Sequence, residues 1–445
     1  MDGPAQPHRS DLPFLSAAPD SWYKGQISLP MPKAGETRDS EADFPQLTLD
    51  EVWHRKPLDA IVQSFQSNTF FDYHLKPFKS FWKHPDGRTE RIYGESYSSD
   101  RAWEIEQEVH SKLTLSSNSE KEKVIVWMML WSDSTHLAQF GTASLWPIYM
   151  YIGNLSKYIR VKPSSYSSHH LAYLPSIPDL VADMYCEIYG RAPTPAVMRF
   201  LKREVVAAVY LLLLDEEFQD AYLNGVEVTC ADGVVRVLIP RFHSYSMDYP
   251  EKIIIVCIKF IGEYLCIRCT IHTKDVPRLG DAQDMLDRKR LERVDDEEHR
   301  EKIEQARELI FSQGYSVDSQ AVKNLLDSES LLPTRNAFSA LFQQHGFDVF
   351  KFIPSDKLHE WDVGRCKDII VHCVRILHCI GSNAVSAFDR RYIVTSQLFT
   401  VLTRFYRYRW VPTFGRGVIR RFHNNVSEMK KMAGRHHVAI MKVCL

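Results

Sequence analysis

Two apolar runs separated by a polar stretch constrain the fold of this chain most. VIVWMMLW, at 124–131, has the length and composition of a strand buried on both faces, and it ends abruptly at Ser132-Asp133. A second run, WPIYMYI, follows at 146–152. A carboxylate at the mouth of a buried strand is costly unless it is hydrated, paired or bound to a metal. Asp133 is therefore the first candidate functional residue.

The segments that follow predict an ordered series of elements. A third strand is expected at 169–177, a long helix at 195–222, a turn at 224–233 and a further strand at 234–242. The order β-β-β-α-β predicts an α/β protein with a mixed sheet, a helical insertion and flanking helices. It is also the opening order of the RNase H-like fold, which has one catalytic carboxylate on its first strand and another at its fourth. Those positions would be Asp133 and Asp248.

Length, charge and cysteine usage narrow the class of protein. The chain has 445 residues, and 55 lysines and arginines nearly cancel 56 acids, so net charge does not identify a partner. No phosphate-binding GxxxxGK[ST] or GxGxxG motif is present. The odd count of nine cysteines, the lack of a secretory signal and the absence of a bilayer-length apolar run predict an intracellular protein without a membrane span.

Composition predicts five regions. These are a poorly structured segment over 1–57, a mixed lead-in over 58–123, the α/β core over 124–280, a charged and amphipathic helical region over 281–387, and a basic segment over 388–445. Between 281 and 308, 18 of 28 residues are charged, a pattern typical of a solvated helix with i,i+4 ion pairs.

Asp133 and Asp248 are the first of four candidate sites. Carboxylates on adjacent strands can hold a pair of Mg²⁺ or Mn²⁺ ions, which stabilise the attacking and leaving oxygens in phosphodiester displacement. The alternative is that both residues only form turns or helix caps.

Cysteines supply the second candidate site. Cys266 and Cys269 form a CxxC pair, with Cys257 upstream and His272 three residues downstream. Four such ligands could bind a structural Zn²⁺. Unligated core cysteines are the alternative.

Acids and a histidine crowd the start of an amphipathic helix and form the third candidate site. Asp356, His359, Glu360 and Asp362 lie within seven residues. Ordinary N-terminal capping would explain them. The functional alternative is a third catalytic acid, for which Asp356 or Glu360 is the better candidate, or a histidine beside a metal.

A basic segment near the end of the chain is the fourth candidate site. From Phe388 onward there are 12 lysines and arginines against two acids. Arginines alternate with aromatic rings, which suits phosphate contacts and base stacking. The candidate DNA-binding residues are Arg404, Arg407, Arg409, Arg416, Arg420 and Arg421. A solvated face or a surface for a protein partner is the alternative.

Several long blocks together resemble the Plavaka-type transposases of fungal DNA transposons, which are related to the CACTA group. The blocks span about Arg91 to Arg435 in the family's order: IYGESYSSDRAWE, LWSDSTHLAQFGTASLWPIYMYIGNLSKYIRVKPS, ADGVVRVLIPRFHSYSMDYPEKIIIVCIKFIGEYLCIRC, KFIPSDKLHEWDVGRCKDIIVHCVRILH and VPTFGRGVIRRFHNNVSEMKKMAGR. Asp133 matches the family's first-acid block, and Asp248 matches its DYP position. Cys266 and Cys269 match its cysteine pair, whereas Cys257 and His272 are added from spacing alone.

The resemblance implies an RNase H-like DDE/D core that cuts and joins DNA at transposon ends with Mg²⁺ or Mn²⁺. It implies a nuclear protein, with a cytoplasmic location as the alternative, and is compatible with a homo-oligomer. The chain departs from relatives by lacking an N-terminal zinc finger, by an apparent insertion at 392–410 and by ending at Leu445, before the expected third acid. We therefore expect a truncated transposase. The alternatives are a non-catalytic DNA-binding relic and a decayed reading frame, whereas no nucleophile and base arrangement supports a small-molecule hydrolase.

Overall fold

The computed structural model describes residues 21–116, 121–136, 144–177, 180–390 and 433–444. The chain divides into two compact units, Met1–Pro354 and Ser355–Leu445. The six arginines predicted to bind DNA, between 404 and 421, lie outside the described residues. No helix in the described ranges is long and apolar enough to cross a membrane.

The described chain contains eleven strands, most of them in one mixed sheet. They are β1 Tyr23–Pro30, β2 Gln46–His54, β3 Ser80–Lys83, β4 Thr89–Ile92, β5 Lys123–Ser132, β6 Thr135–His136, β7 Ser144–Leu145, β8 Pro147–Ile152, β9 His169–Tyr173, β10 Val226–Thr229 and β11 Val235–Ser246. Seven of them form a sheet in the order β1-β2-β9-β8-β5-β11-β10. The pairs β3-β4 and β6-β7 form two small separate sheets.

Four neighbouring strands of the large sheet correspond to the predicted ones. β5 pairs antiparallel with β8, and β8 pairs antiparallel with β9. On its other side, β5 pairs parallel with β11, where Ser246 lies opposite Trp131. β5 is buried from Val124 to Met128, as its continuous apolar sequence requires. The predicted mixed α/β class is confirmed.

Helices make up much of the rest of the described chain. In the first unit they are α1 Pro57–Gln66, α2 Asp100–Ser116, α3 Lys157–Arg160, α4 Leu180–Tyr189, α5 Pro195–Leu213, α6 Glu216–Asn224, α7 Tyr249–Ile255, α8 Ala282–Arg290, α9 Glu297–Phe311, α10 Gln320–Leu326, α11 Ala337–Phe342 and α12 Val349–Phe352. The second unit contains a π-helix, Lys357–Arg365, which continues directly into α13 Cys366–Ile380, followed by α14 Ser382–Arg390 and α15 Gly434–Cys444.

The long helix α5 carries much of the main core. Its start follows from local chemistry, because Thr194 accepts a hydrogen bond from the Val197 amide (3.3 Å) and Pro195 occupies the first helical position. Phe200, Leu201 and Val205 are buried in the same cluster as the core residues of β5 and β8. The helix therefore fixes one face of the sheet beneath the strand ends.

Two local predictions on either side of α6 were wrong. The single helix expected over 195–222 is divided between α5 and α6, because the Asp215 side chain accepts a hydrogen bond from the Phe218 amide (2.9 Å) and starts a new helix. The expected turn at 224–233 contains the strand β10, which pairs antiparallel with β11. A single turn prediction cannot separate a hairpin strand from its loop when the strand has only four residues.

The prediction of a poorly structured segment over 1–57 does not hold for β1 and β2. These strands pair antiparallel, and β2 joins the sheet through His54 opposite Ala172 of β9. Ile27 and Leu29 of β1 are buried in the main core, two residues apart as a strand with one buried face requires. Abundant Pro, Ser and Asp in the segment conceal this alternation, so composition alone was misleading.

The charged region from 281 to 308 forms two helices, α8 and α9, rather than one solvated helix. Asp284 and Arg288 form the expected i,i+4 ion pair at 2.7 Å, although the Asp284 side chain is only 2% exposed. Between the helices the backbone turns towards the CxxC loop, where the Arg293 amide donates to the Arg268 carbonyl (2.8 Å). This contact interrupts the helix that the charge pattern predicted.

Candidate functional site

Asp133 lies where β5 leaves the sheet. The preceding residue, Ser132, is buried as the last residue of the strand, and Asp133 is exposed immediately after it. Parallel pairing places Trp131 opposite Ser246, so β5 and β11 end side by side. Residues two positions beyond Trp131 and Ser246 therefore lie at the same edge of the sheet, and the residue at that position after β5 is Asp133.

Asp248 occupies that position after β11. It is the N-cap residue of α7, and its Oδ1 accepts a hydrogen bond from the Glu251 amide (3.1 Å). Pro250 in the first turn of α7 favours a helix start at this point. The structure thus gives Asp248 a capping role and at the same time brings it to the edge where Asp133 lies.

Glu251 is a third acid at this edge, and sequence reasoning missed it. Glu251 is only 5% exposed. One carboxylate oxygen accepts from Ser132 Oγ (2.6 Å), and the other accepts from the Ser134 amide (3.0 Å). These two bonds join α7 to the end of β5 on both sides of Asp133. We call Asp133, Asp248 and Glu251 the acid edge.

Electrostatics at the acid edge disfavour the ionised form of Glu251. Burial is the largest cause of its raised pKa, and the charges of Asp248 and Asp133 raise it further. The hydrogen bonds from Ser132 and Ser134 act in the opposite direction but do not restore the usual value. Asp133 and Asp248 therefore both lie close enough to Glu251 to raise its pKa.

A chain of buried hydroxyl groups fixes the position of Glu251. Ser132 Oγ accepts a hydrogen bond from the Tyr245 hydroxyl at 3.0 Å, and Tyr245 is in turn hydrogen-bonded to Tyr210 of α5. Both tyrosines are fully buried, and burial raises the pKa of each, so they stay protonated. This chain of bonds ties together α5, β11, β5 and α7 around one carboxylate.

The acid edge supplies oxygen donors of the type found in Mg²⁺ and Mn²⁺ sites. These ions prefer carboxylate oxygens, and each oxygen of Glu251 retains lone-pair capacity beyond its one hydrogen bond. A divalent cation would also relieve the repulsion that Asp133 and Asp248 exert on Glu251. Within the described residues, no group of three or more His, Cys, Asp or Glu is already arranged to hold a metal.

The candidate zinc ligands are only partly brought together. The Cys269 thiol donates to Cys266, which lowers the pKa of Cys266. Cys257 is fully buried, its thiol donates to the Ile254 carbonyl (3.6 Å), and burial raises its pKa to about 12. His272 caps a short helix by accepting from the Lys274 amide (3.0 Å). The four do not form a ligand group in the described chain, and zinc stays a prediction.

Asp356 and Glu360 lie in the second unit, where they cap the π-helix. Asp356 accepts from the amides of Leu358 (2.8 Å) and His359 (3.2 Å). Glu360 accepts from the Asp356 amide (3.1 Å), which completes a reciprocal cap. Although burial alone would raise the pKa of Asp356, its hydrogen bonds with His359 outweigh burial and lower it. The capping geometry is observed, and a catalytic role for either acid stays a prediction.

Comparison with known protein families identifies one family. The family model described as Plavaka transposase matches residues 20–374. This span covers most of the 445 residues and contains the acid edge and the CxxC pair. No curated protein matches the chain.

Proposed function

Since the chain belongs to the Plavaka transposase family, we propose that it is a transposase-derived protein whose acid edge supports metal-dependent cleavage and transfer of DNA strands. The observation that carries this proposal is that Asp133 and Asp248 follow the paired ends of two parallel strands and that both raise the pKa of Glu251. Its partner would be DNA at transposon ends, and its place of action the nucleus.

We also propose that the central sheet is of the RNase H-like type. The order β9-β8-β5-β11, with β5 antiparallel to β8 and parallel to β11, supports this assignment. In such a sheet the first and fourth strands of the core are neighbours, so acids at their ends can share one site. Here those strands are β5 and β11.

In this mechanism Asp133 and Asp248 would hold Mg²⁺ or Mn²⁺, with Glu251 as the third carboxylate. The bound metal would stabilise the charge on the attacking and leaving oxygens of the phosphodiester. Ser132 and the Ser134 amide orient Glu251, and Tyr245 orients Ser132. This buried support fixes the position of one oxygen donor before substrate binds, so less reorganisation is needed on binding.

A calorimetric titration with Mn²⁺ tests the proposal. Asp133→Asn combined with Asp248→Asn should abolish Mn²⁺ binding, because the change removes both charges and leaves similar volume. Asp281→Asn is the matched control, since Asp281 is an exposed N-cap residue whose side chain makes no cap hydrogen bond. Cleavage of transposon-end DNA in Mn²⁺ should follow the same pattern.

Each outcome has a distinct meaning. Binding that persists in the double variant would contradict the assignment of Asp133 and Asp248. A folded protein that binds DNA in a salt-dependent manner, without binding Mn²⁺, would instead be the non-catalytic DNA-binding relic. Loss of Mn²⁺ binding in the Asp281→Asn control would mean that the effect is not specific to the acid edge.

A further inference from the structure

A cavity of about 520 Å³ opens beside the acid edge. Its lining includes Ser134 and Pro250, which are the chain neighbours of Asp133 and Glu251 respectively. The rest of the lining comes mainly from α5, α7 and the segment that follows β9. We call it the α5 cavity. Whatever occupies it lies next to the proposed reaction site.

One wall of the α5 cavity is cationic. Arg199, Lys202, Arg203 and Val206 line it with the i, i+3, i+4, i+7 spacing of a single helix face. Arg199, Lys202 and Arg203 have no hydrogen bond or ion pair with any residue in the described part of the chain. Burial lowers the pKa of Arg203, and the nearby Arg199 charge lowers it further. Grouped cations without protein partners favour an anionic ligand.

Most of the remaining lining forms an apolar wall. It includes the rings of Trp146 and Phe260 and the aliphatic side chains of Leu174 and Ile253. A volume of about 520 Å³ falls within the range of pockets that take a ligand of drug-like size. A flat aromatic base with its attached phosphate combines the apolar surface and the negative charge that these two walls select.

We infer that the α5 cavity receives one unpaired nucleotide of the DNA strand at the acid edge. The base would lie against the apolar wall, and its phosphate would face Arg199, Lys202 and Arg203. A base inside a continuous duplex is stacked on both faces and cannot enter a pocket without leaving the stack. The cavity would therefore select DNA that has an unstacked nucleotide at the site of cleavage. This inference rests on the proposed function, because it assumes a DNA substrate.

The test compares two labelled DNA duplexes that are identical except for one unpaired nucleotide in the middle of one strand. Affinities of the full chain are measured by fluorescence anisotropy in EDTA, so neither cleavage nor metal binding affects the result. Ser176→Trp fills the cavity from an exposed lining position, and Arg199→Gln with Arg203→Gln removes two of its three cations. Lys162→Gln is the control, since Lys162 is exposed and does not line the cavity.

The unmodified protein should bind the DNA with the unpaired nucleotide about tenfold more tightly, because stacking one base on aromatic side chains gives an effect of that order. Ser176→Trp and the double arginine variant should lose this preference, whereas Lys162→Gln should keep it. An equal affinity of the unmodified protein for both duplexes would overturn the inference. So would a Ser176→Trp variant that keeps the preference, which would leave the cavity to another occupant, such as an apolar protein segment.

Failure of the proposed function gives a different pattern. A protein that prefers the unpaired nucleotide, but whose Mn²⁺ binding does not depend on Asp133 and Asp248, supports the cavity and contradicts the acid edge. A folded protein that binds neither duplex contradicts both. Metal binding at the acid edge without any preference between the duplexes contradicts the cavity alone.

Discussion

Arg307 of α9 is buried between two carboxylates, and replacing it should destabilise the first unit strongly. Its guanidinium donates to Glu204 of α5 at 2.9 and 3.1 Å and to Glu41 at 2.9 and 2.6 Å, and it also donates to the Pro333 carbonyl (2.9 Å). The Arg307 side chain is 3% exposed and that of Glu204 is 10% exposed. Arg307→Met would keep an unbranched side chain at this position but leave Glu204 charged and buried without its cation.

The expected loss of unfolding free energy is about 3–5 kcal/mol, the cost of removing one partner from a buried ion pair. Arg335→Met is a matched control, because Arg335 also bonds Glu41 (2.9 and 3.0 Å) but its side chain is 44% exposed. Its replacement should cost about 0–1 kcal/mol, as is usual for solvent-exposed ion pairs. Replacing Arg307 and Glu204 together by Met and Leu should recover much of the loss, because no buried charge is then left alone.

Urea unfolding followed by tryptophan fluorescence measures these differences. The shift in the urea midpoint is converted to a difference in unfolding free energy at a constant m-value. The pH dependence gives a second readout. Burial alone would raise the pKa of Glu41, but its bonds to Arg307 and Arg335 outweigh burial and lower it. The stabilisation from Glu41 is therefore present above the unfolded pKa and is lost as pH falls through the folded one. Equal costs for Arg307→Met and Arg335→Met at neutral pH would refute the reasoning.

Four further predictions concern the acid edge, the tyrosines that support it and the start of α6. Glu251→Gln should raise the free energy of unfolding at neutral pH in the absence of metal. The pKa of Glu251 is raised in the folded protein, so folding becomes less favourable as pH rises above the pKa that Glu251 has in the unfolded chain. Thermal unfolding measured across pH should show a weaker pH dependence of stability in the variant. The same variant should weaken Mn²⁺ binding in calorimetry, and unchanged binding would exclude Glu251 from the site. Tyr245→Phe should lower the free energy of unfolding in urea by about 1–3 kcal/mol, because it removes the hydroxyl that donates to buried Ser132 and bonds Tyr210. A smaller loss would contradict the role of Tyr245 in holding Ser132 and Glu251. Asp215→Ala should cost about 1 kcal/mol by removing the α6 cap, whereas Asp281→Ala should cost much less because Asp281 makes no such bond.

The candidate site was partly predictable from sequence because its main signal is local. An apolar run that stops at an acid marks a strand end, and Asp133 follows such a run. Asp248 follows the more polar stretch HSYSM, and it is identified from its place after the fourth predicted strand and from the DYP block. Glu251 has no such signal. Three residues after an N-cap Asp, a Glu is expected to bond back to the cap, whereas here its side chain reaches across to β5. Only the tertiary pairing of β5 with β11 makes that contact possible.

The fold was predictable where strands are buried on both faces and less so elsewhere. β5 and β8 are recognisable from composition, since few other elements carry so continuous an apolar run. The N-terminal strands β1 and β2 lie in a segment rich in polar residues, and the residues that stabilise this segment include some from distant parts of the chain. Glu41 bonds Arg307, which is 266 residues away in sequence. No local pattern contains that information.

Neighbouring residues of α5 face two different environments, and this has a consequence for how the helix can move. Arg203 lines the α5 cavity, whereas Glu204 is bonded to buried Arg307. Rotating or sliding the helix enough to withdraw Arg203 would pull Glu204 out of its ion pair. The Glu204–Arg307 ion pair therefore fixes both the rotation and the axial position of α5. Glu41 in the N-terminal segment bonds the same arginine and supports this arrangement.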